Sequence, residues 1–141
     1  MRASGWAMAG LVGFGLVMMG TTAGAVDERT RVIQAGALDG KVFVGKIGKQ
    51  GKTKWDRDSF EFRQGTFHST SCDPYGFQAA SYETAVGTEE VRFTSETHSP
   101  NEGRMVWKGS VRGPSFEGTA LWYRKNGQAP ESYWFKGQLK S

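Results

Sequence analysis

His68, Cys72 and Asp73 stand close together in the chain, and a second histidine, His98, follows them. A thiol, an imidazole and a carboxylate are the parts of a Cys–His nucleophile or of a zinc site. The sequence specifies neither. Zinc needs three or four converging ligands, and neither the adjacency of Cys72 and Asp73 nor the spacing from His68 to Cys72 enforces convergence. A nucleophilic cysteine needs an orienting third group and donors for an oxyanion, and no residue can be assigned to either place. Asp56, Asp58 and Glu61 follow Trp55 in what reads as a charged turn, without the opposed carboxylates of an acid–base pair. The histidines read as solvated. No catalytic residue, metal ligand or cofactor is assigned, and the expectation is a protein that binds and does not catalyse.

What recurs instead is an aromatic, a glycine and an apolar residue at alternate positions: FVGKI at 43–47, WKGSV at 107–111, FEGTA at 116–120 and FKGQL at 135–139. Period-two alternation dominates from residue 42 onward, with no helical stripe of a dozen residues. Eight strands are predicted, at 42–47, 59–64, 66–71, 79–86, 90–97, 104–112, 115–123 and 132–140. Turn chemistry separates them at RQGT (63–66), CDPYG (72–76), VGTE (86–89), SPNEG (99–103), RGPS (112–115) and KNGQAP (125–130). Short connections favour antiparallel neighbours in an up-and-down meander.

The Gly113-Pro114 turn sets the most informative register. A two-residue loop places Val111 opposite Phe116, Gly109 opposite Gly118, Trp107 opposite Ala120 and Met105 opposite Trp122, all on one face. Arg104, Lys108, Arg112, Glu117 and Thr119 take the wet face. Facing glycines let a sheet bend as a small barrel requires. They equally leave room for a ligand beside Trp107, and both readings stand at this point. Gly45 and Gly137 occupy the same inward position in the first and last strands, which must pair to close the sheet.

Parity also sends Phe60, Phe62, Phe67, Ser69, Ser71, Tyr82, Thr84, Val86, Val91, Phe93, Ser95 and Thr97 inward. One wall is then aromatic, with Trp107, Phe116, Trp122, Tyr133 and Phe135. The facing wall carries the hydroxyls of Ser69, Ser71, Tyr82, Thr84, Ser95 and Thr97. An unpaired buried hydroxyl costs about 1–3 kcal/mol, so these six belong either at an open barrel end, bonded to water or backbone, or around a pocket. The pocket is the expectation, with Trp107, Trp122, Phe135, Tyr82, Thr84, Ser69 and Ser95 holding a ligand of one apolar face and one polar edge. On the wet side, Val106, Leu121, Tyr123 and Trp134 form an outer apolar patch. It either receives Val32, Ile33 and Leu38 of the N-terminal segment or meets a protein partner or a second copy.

Of the 141 residues, 1–25 read as a signal peptide. Arg2 precedes the apolar run AMAGLVGFGLVMM (7–19), which is too short for a comfortable span, and Ala23-Gly24-Ala25 gives a small-x-small cleavage pattern. Residues 26–39 read as an N-terminal arm or a short helix, and 40–141 as one barrel domain with a modest core. The expected location is periplasmic or secreted, after cleavage near Ala25-Val26. Cys72 is the one cysteine, so no intramolecular disulfide forms, and the thiol is either buried or reactive. The net charge of +4 is concentrated in KIGKQGKTK (46–54), which lacks the motif or stacking platform of a nucleic-acid site and reads as a solvated hairpin loop. A transmembrane barrel is set aside because the strands are short and diluted by serine and threonine. The expected partner is a small apolar or amphipathic molecule, without nucleic acid and without stable membrane insertion.

An eight-stranded meander of this size, with aromatics facing hydroxyls, resembles the calycin group of barrels: lipocalins, fatty-acid-binding proteins and avidins. SYETAVG at 81–87 is similar to the third avidin strand, which supplies a tyrosine and a serine to the biotin ureido ring. That resemblance implies Tyr82 and Thr84 as a polar pair. The opening strand GKVFVGKI (40–47) has Phe43 where avidins have tryptophan and lacks the polar residues that follow it, and SYWFKGQLK (132–140) lacks the avidin aspartate. What is implied is a small calycin-like β-barrel, and not biotin. The chain also resembles short secreted bacterial proteins. The function expected is a secreted, non-enzymatic carrier or sensor of a small, partly apolar ligand in the barrel interior. The alternative is a periplasmic protein-interaction or hydrolase-inhibitor module acting through loops or the outer patch.

Overall fold

The alternation that begins at residue 42 is realised as strands. The structure, a computed structural model, describes residues 32–33 and 36–140. The expected signal peptide, its cleavage site and most of the 26–39 segment lie outside the described residues. The elements are β1 (Val32–Ile33), β2 (Val42–Lys49), β3 (Trp55–Arg63), β4 (Thr66–Ser69), a 3-10 helix (Thr70–Tyr75), β5 (Ala80–Val86), β6 (Val91–Ser99), β7 (Gly103–Arg112), β8 (Ser115–Tyr123) and β9 (Glu131–Leu139). Strands β2 to β9 form an antiparallel up-and-down meander, and β9 pairs back onto β2, so the eight close into a barrel. This is the all-β architecture expected, compatible with a calycin-like barrel.

The register across Gly113-Pro114 pairs Val111 with Phe116, Gly109 with Gly118, Trp107 with Ala120 and Met105 with Trp122. Gly45 faces Gly137 across the closing pair of strands. A Cβ added to Gly118 would overlap the Lys108 carbonyl and lie 2.6 Å from Cζ of Phe135; one on Gly109 would lie 2.7 Å from Cε1 of Phe93. The glycines therefore serve close backbone approach, and the rings of Phe93 and Phe135 occupy the space over them. The room beside Trp107 is filled, with Phe135 at 5.6 Å between ring centroids.

Several boundaries differ from the sequence reading, and three of them move residues of interest. Strand β3 begins at Trp55, because pairing with β2 continues to Gly48 and draws the expected charged turn into the ladder. Strand β4 stops at Ser69, and Ser71 enters the 3-10 helix, which ends at Gly76 with φ 85°. Strand β6 runs to Ser99, so His98 lies on a strand and not in a loop.

A girdle of buried rings fills the middle of the barrel: Phe43, Phe60, Phe62, Phe67, Phe93, Trp107, Phe116 and Phe135. Their centroids lie 4.6 to 6.3 Å apart in stacked, tilted and edge-on pairs, such as Phe43 on Phe116 and Phe62 on Phe93, the separations at which aromatic pairs add to the burial of their area.

The end bearing the β3–β4, β5–β6 and β7–β8 turns is sealed by the turn Gly36–Gly40. Leu38 of this turn is fully buried. The Gly40 amide donates to the Phe62 carbonyl, and Asp39 accepts from the Gly65 amide at 2.9 and 3.1 Å. The Tyr82 hydroxyl donates to Asp39 at 2.7 Å and accepts from the Leu38 amide at 3.0 Å. Leu38 thus enters the barrel and does not lie on the outer patch. Within the 26–39 segment, Val32 and Ile33 extend the sheet by pairing with Val86 and Ala85 of β5. They continue the edge of β5 that shares only Thr66↔Ser81 and Phe67↔Ala80 with β4.

Candidate functional site

At the opposite end the ring packing stops short. The ends of β2, β3, β7, β8 and β9 and the segment from Ser71 to Phe77 surround a cavity of about 570 Å³. Ile47, Cys72, Phe77, Met105, Trp122 and Tyr133 supply its apolar wall, and Lys49, Lys52, Lys54, Trp55 and Asp56 its rim. Ile47 and Met105 face inward by strand parity and stand at the strand ends, beyond the last rings. Trp122 is fixed by its indole N–H, which donates to the Glu102 carbonyl at 2.8 Å, and by the Arg124 guanidinium 4.3 Å from its ring. The Tyr133 hydroxyl donates to Glu131 at 3.0 Å. Burial, reinforced by Glu131, pushes Tyr133 up to about 12. Glu131 also accepts from Arg124 at 2.7 Å and Lys49 at 3.2 Å. Burial pushes its carboxyl up, but these donors outweigh it and hold the group below its ordinary value.

The expected ligand residues are not gathered round this space. Of them, only Trp122 lines the cavity. Trp107 is fully buried, its indole donating to Thr97 Oγ1 at 3.0 Å, and Phe135 sits in the ring girdle. The hydroxyl wall exists, and its members find partners inside the protein. Ser69 donates to Asp58 at 2.5 Å, Ser95 to the Ser81 carbonyl at 2.8 Å, and Tyr82 to Asp39. Thr84 is buried in the same layer. The sequence reading offered water, backbone or a ligand as partners for these hydroxyls; one backbone carbonyl and two carboxylates take that place.

Asp58 is the residue that reading missed. It is only 2% exposed, and accepts from Ser69, from the hydroxyl and amide of Ser71 at 2.8 and 3.0 Å, from the Ser59 amide at 2.7 Å and from Thr70 at 3.3 Å. One carboxylate thereby pins the 3-10 helix to β3. Its parity with Phe60 and Phe62 was the available signal.

Cys72 turns inward from that helix. Its Sγ meets Ser69 Oγ at 3.5 Å and Met105 Sδ at 3.8 Å. Burial pushes the thiol up to about 11, the opposite of what an activated nucleophile needs. His68 lies on the outer side, its Nε2 2.5 Å from Asp73 and its Nδ1 3.6 Å from Glu61, so it is held between carboxylates and is not simply solvated. His98 is paired with Glu96 at 3.2 Å. Thiol and imidazole face opposite sides of the wall.

On the outer face, Val106 pairs with Leu121, which is 36% exposed. The Arg104 guanidinium covers the Tyr123 ring at 4.0 Å, and Trp134 seats against Gly48, where a Cβ would lie 2.7 Å from its ring. Among the described residues no helix is long and apolar enough to cross a membrane. Comparison with protein-family models, curated proteins and solved structures returns no match. Geometry alone carries the functional reading.

Proposed function

We propose that this chain is an exported, non-enzymatic binding protein that carries or senses a small, partly apolar molecule in the cavity at the open end of its barrel. The observation that supports it is the cavity itself. Its volume of about 570 Å³ falls in the range of small-molecule sites, which are concave, mostly apolar and set with a few polar groups. The proposed site is not the ring-filled middle, where Trp107 and Phe135 stand, but the mouth, where Ile47, Phe77, Met105, Trp122 and Tyr133 line the cavity. The raised thiol of Cys72 and its separation from His68 favour binding over catalysis.

The test uses a neutral apolar dye, N-phenyl-1-naphthylamine, whose emission rises on entering a dry site. Ile47→Phe and Met105→Trp both add volume inside the cavity. Each is expected to weaken dye binding at least about tenfold, or 1.4 kcal/mol. Undiminished binding in both folded variants would put the dye elsewhere and defeat the proposal. The interaction-module alternative rests on exposed Leu121 beside Val106. It gains if Leu121→Asp abolishes capture of a partner protein while dye binding persists.

A further inference from the structure

The cavity is not electrically neutral around its edge, and this bears on what it takes. Its floor offers no charge: Ile47, Phe77 and Met105 are apolar, and the Cys72 thiol stays protonated near neutral pH because burial raises it to about 11. The rim carries three lysines against one carboxylate, Asp56. Lys49 is engaged by Glu131 at 3.2 Å. Lys52 and Lys54, from the β2–β3 connection, line the same cavity and form no ion pair among the described residues. The nearby acid Glu131 is already shared by Arg124, Tyr133 and Lys49, so it supplies no free negative charge to the mouth. Arg124, 4.3 Å over the Trp122 ring, is likewise paired with Glu131 at 2.7 Å, which leaves the excess positive charge at Lys52 and Lys54.

An apolar floor under a cationic rim fits one class of molecule. We infer that the ligand is a small amphipathic acid, its apolar body against Met105 and Phe77 and its carboxylate at Lys52 and Lys54. This rests on the cavity being the binding site, as proposed above. The lysines lie in an exposed loop, where an ammonium stays hydrated and bonds a carboxylate as a point charge and not by a fixed fork. Affinity should therefore come mainly from the apolar body, and the sign of the head group should set the preference.

Three ligands of equal chain length separate the ideas: decanoate, decanol and decyltrimethylammonium, each titrated calorimetrically below its micellar concentration. Decanoate is expected to bind at least about tenfold more tightly than the cation, equivalent to 1.4 kcal/mol. The advantage should shrink in 0.5 M salt, where screening reaches only a few ångströms. It should also shrink in the double variant Lys52→Gln/Lys54→Gln, with decanol affinity unchanged. Equal affinity for the three ligands would overturn the acid inference and leave the cavity reading standing. An unaltered decanoate preference in the double variant would also overturn it. Binding of none of the three would overturn both readings.

Discussion

The two ends of this barrel are closed by different means, and only one of them is closed. At the sealed end a short turn inserts Leu38 and brings polar groups with it, and they are matched. Tyr82 serves the Leu38 amide and Asp39, and Asp39 serves Tyr82 and the Gly65 amide. At the open end the lining is mostly apolar, and side chains such as Met105 and Ile47 stop at unfilled space. A plug that carries buried polar atoms must satisfy all of them to be stable. An apolar mouth has no such requirement and can remain open, at the cost of contacts not made. A polar-bonded plug at one end and an apolar cavity at the other follow from that asymmetry.

The comparison is most exposed at Leu38. Truncating a fully buried leucine costs about 3 kcal/mol in cores that do not collapse around the gap. Leu38→Ala should therefore lower the denaturation midpoint by a large fraction of a small domain's stability. A midpoint equal to wild type would reduce the plug to a loose cover. Tyr82→Phe is the next largest. It leaves the Leu38 amide short of its partner and takes from Asp39 one of its two donors, the Gly65 amide remaining, for about 1–2 kcal/mol; no loss would show that water replaces the hydroxyl and that the end is not sealed.

The smallest effect belongs to the rim of the mouth. Glu131→Gln should cost below about 1 kcal/mol at neutral pH, since its partners are partly solvated. Its carboxyl is held below the ordinary value of 4.5, so its stabilising contribution is present above that pH and is lost as pH falls through the folded value. Wild type and Glu131→Gln should differ at neutral pH and converge in acid. A difference that grows on acidification would reverse the assigned role of Glu131.

How much of this is legible in the sequence depends on the kind of interaction. Pairing was readable because Gly113-Pro114 permits a two-residue loop and side chains alternate strictly, so Gly109 opposite Gly118 follows from numbers alone. Ring positions such as Phe60, Phe62 and Phe93 followed from the same parity. Partners of buried polar groups were not readable. Ser95 is satisfied by the carbonyl of Ser81 on the neighbouring strand, and Tyr82 by Asp39, from a segment with no periodicity to place it. Asp58 was hidden by its neighbours, because Trp55, Asp56 and Arg57 resemble a solvated turn. The cavity depends on how far Phe135 and Trp107 reach along the barrel axis, which alternation does not encode.

The two-residue strand β1 has a consequence for how copies of the chain meet one another. Between β4 and β5 the ladder is short, ending where the Tyr82 amide donates to the Gly65 carbonyl, and without β1 the Ala85–Val86 end of that edge would be uncovered. Such an edge is a template on which another molecule's strand can add. Backbone pairing of Val32 and Ile33 with Val86 and Ala85 occupies the outer part of that row, so the N-terminal arm acts as an edge guard. Trimming the chain past Ile33 would remove that pairing and free those positions of β5, leaving an edge on which a strand of another copy can add.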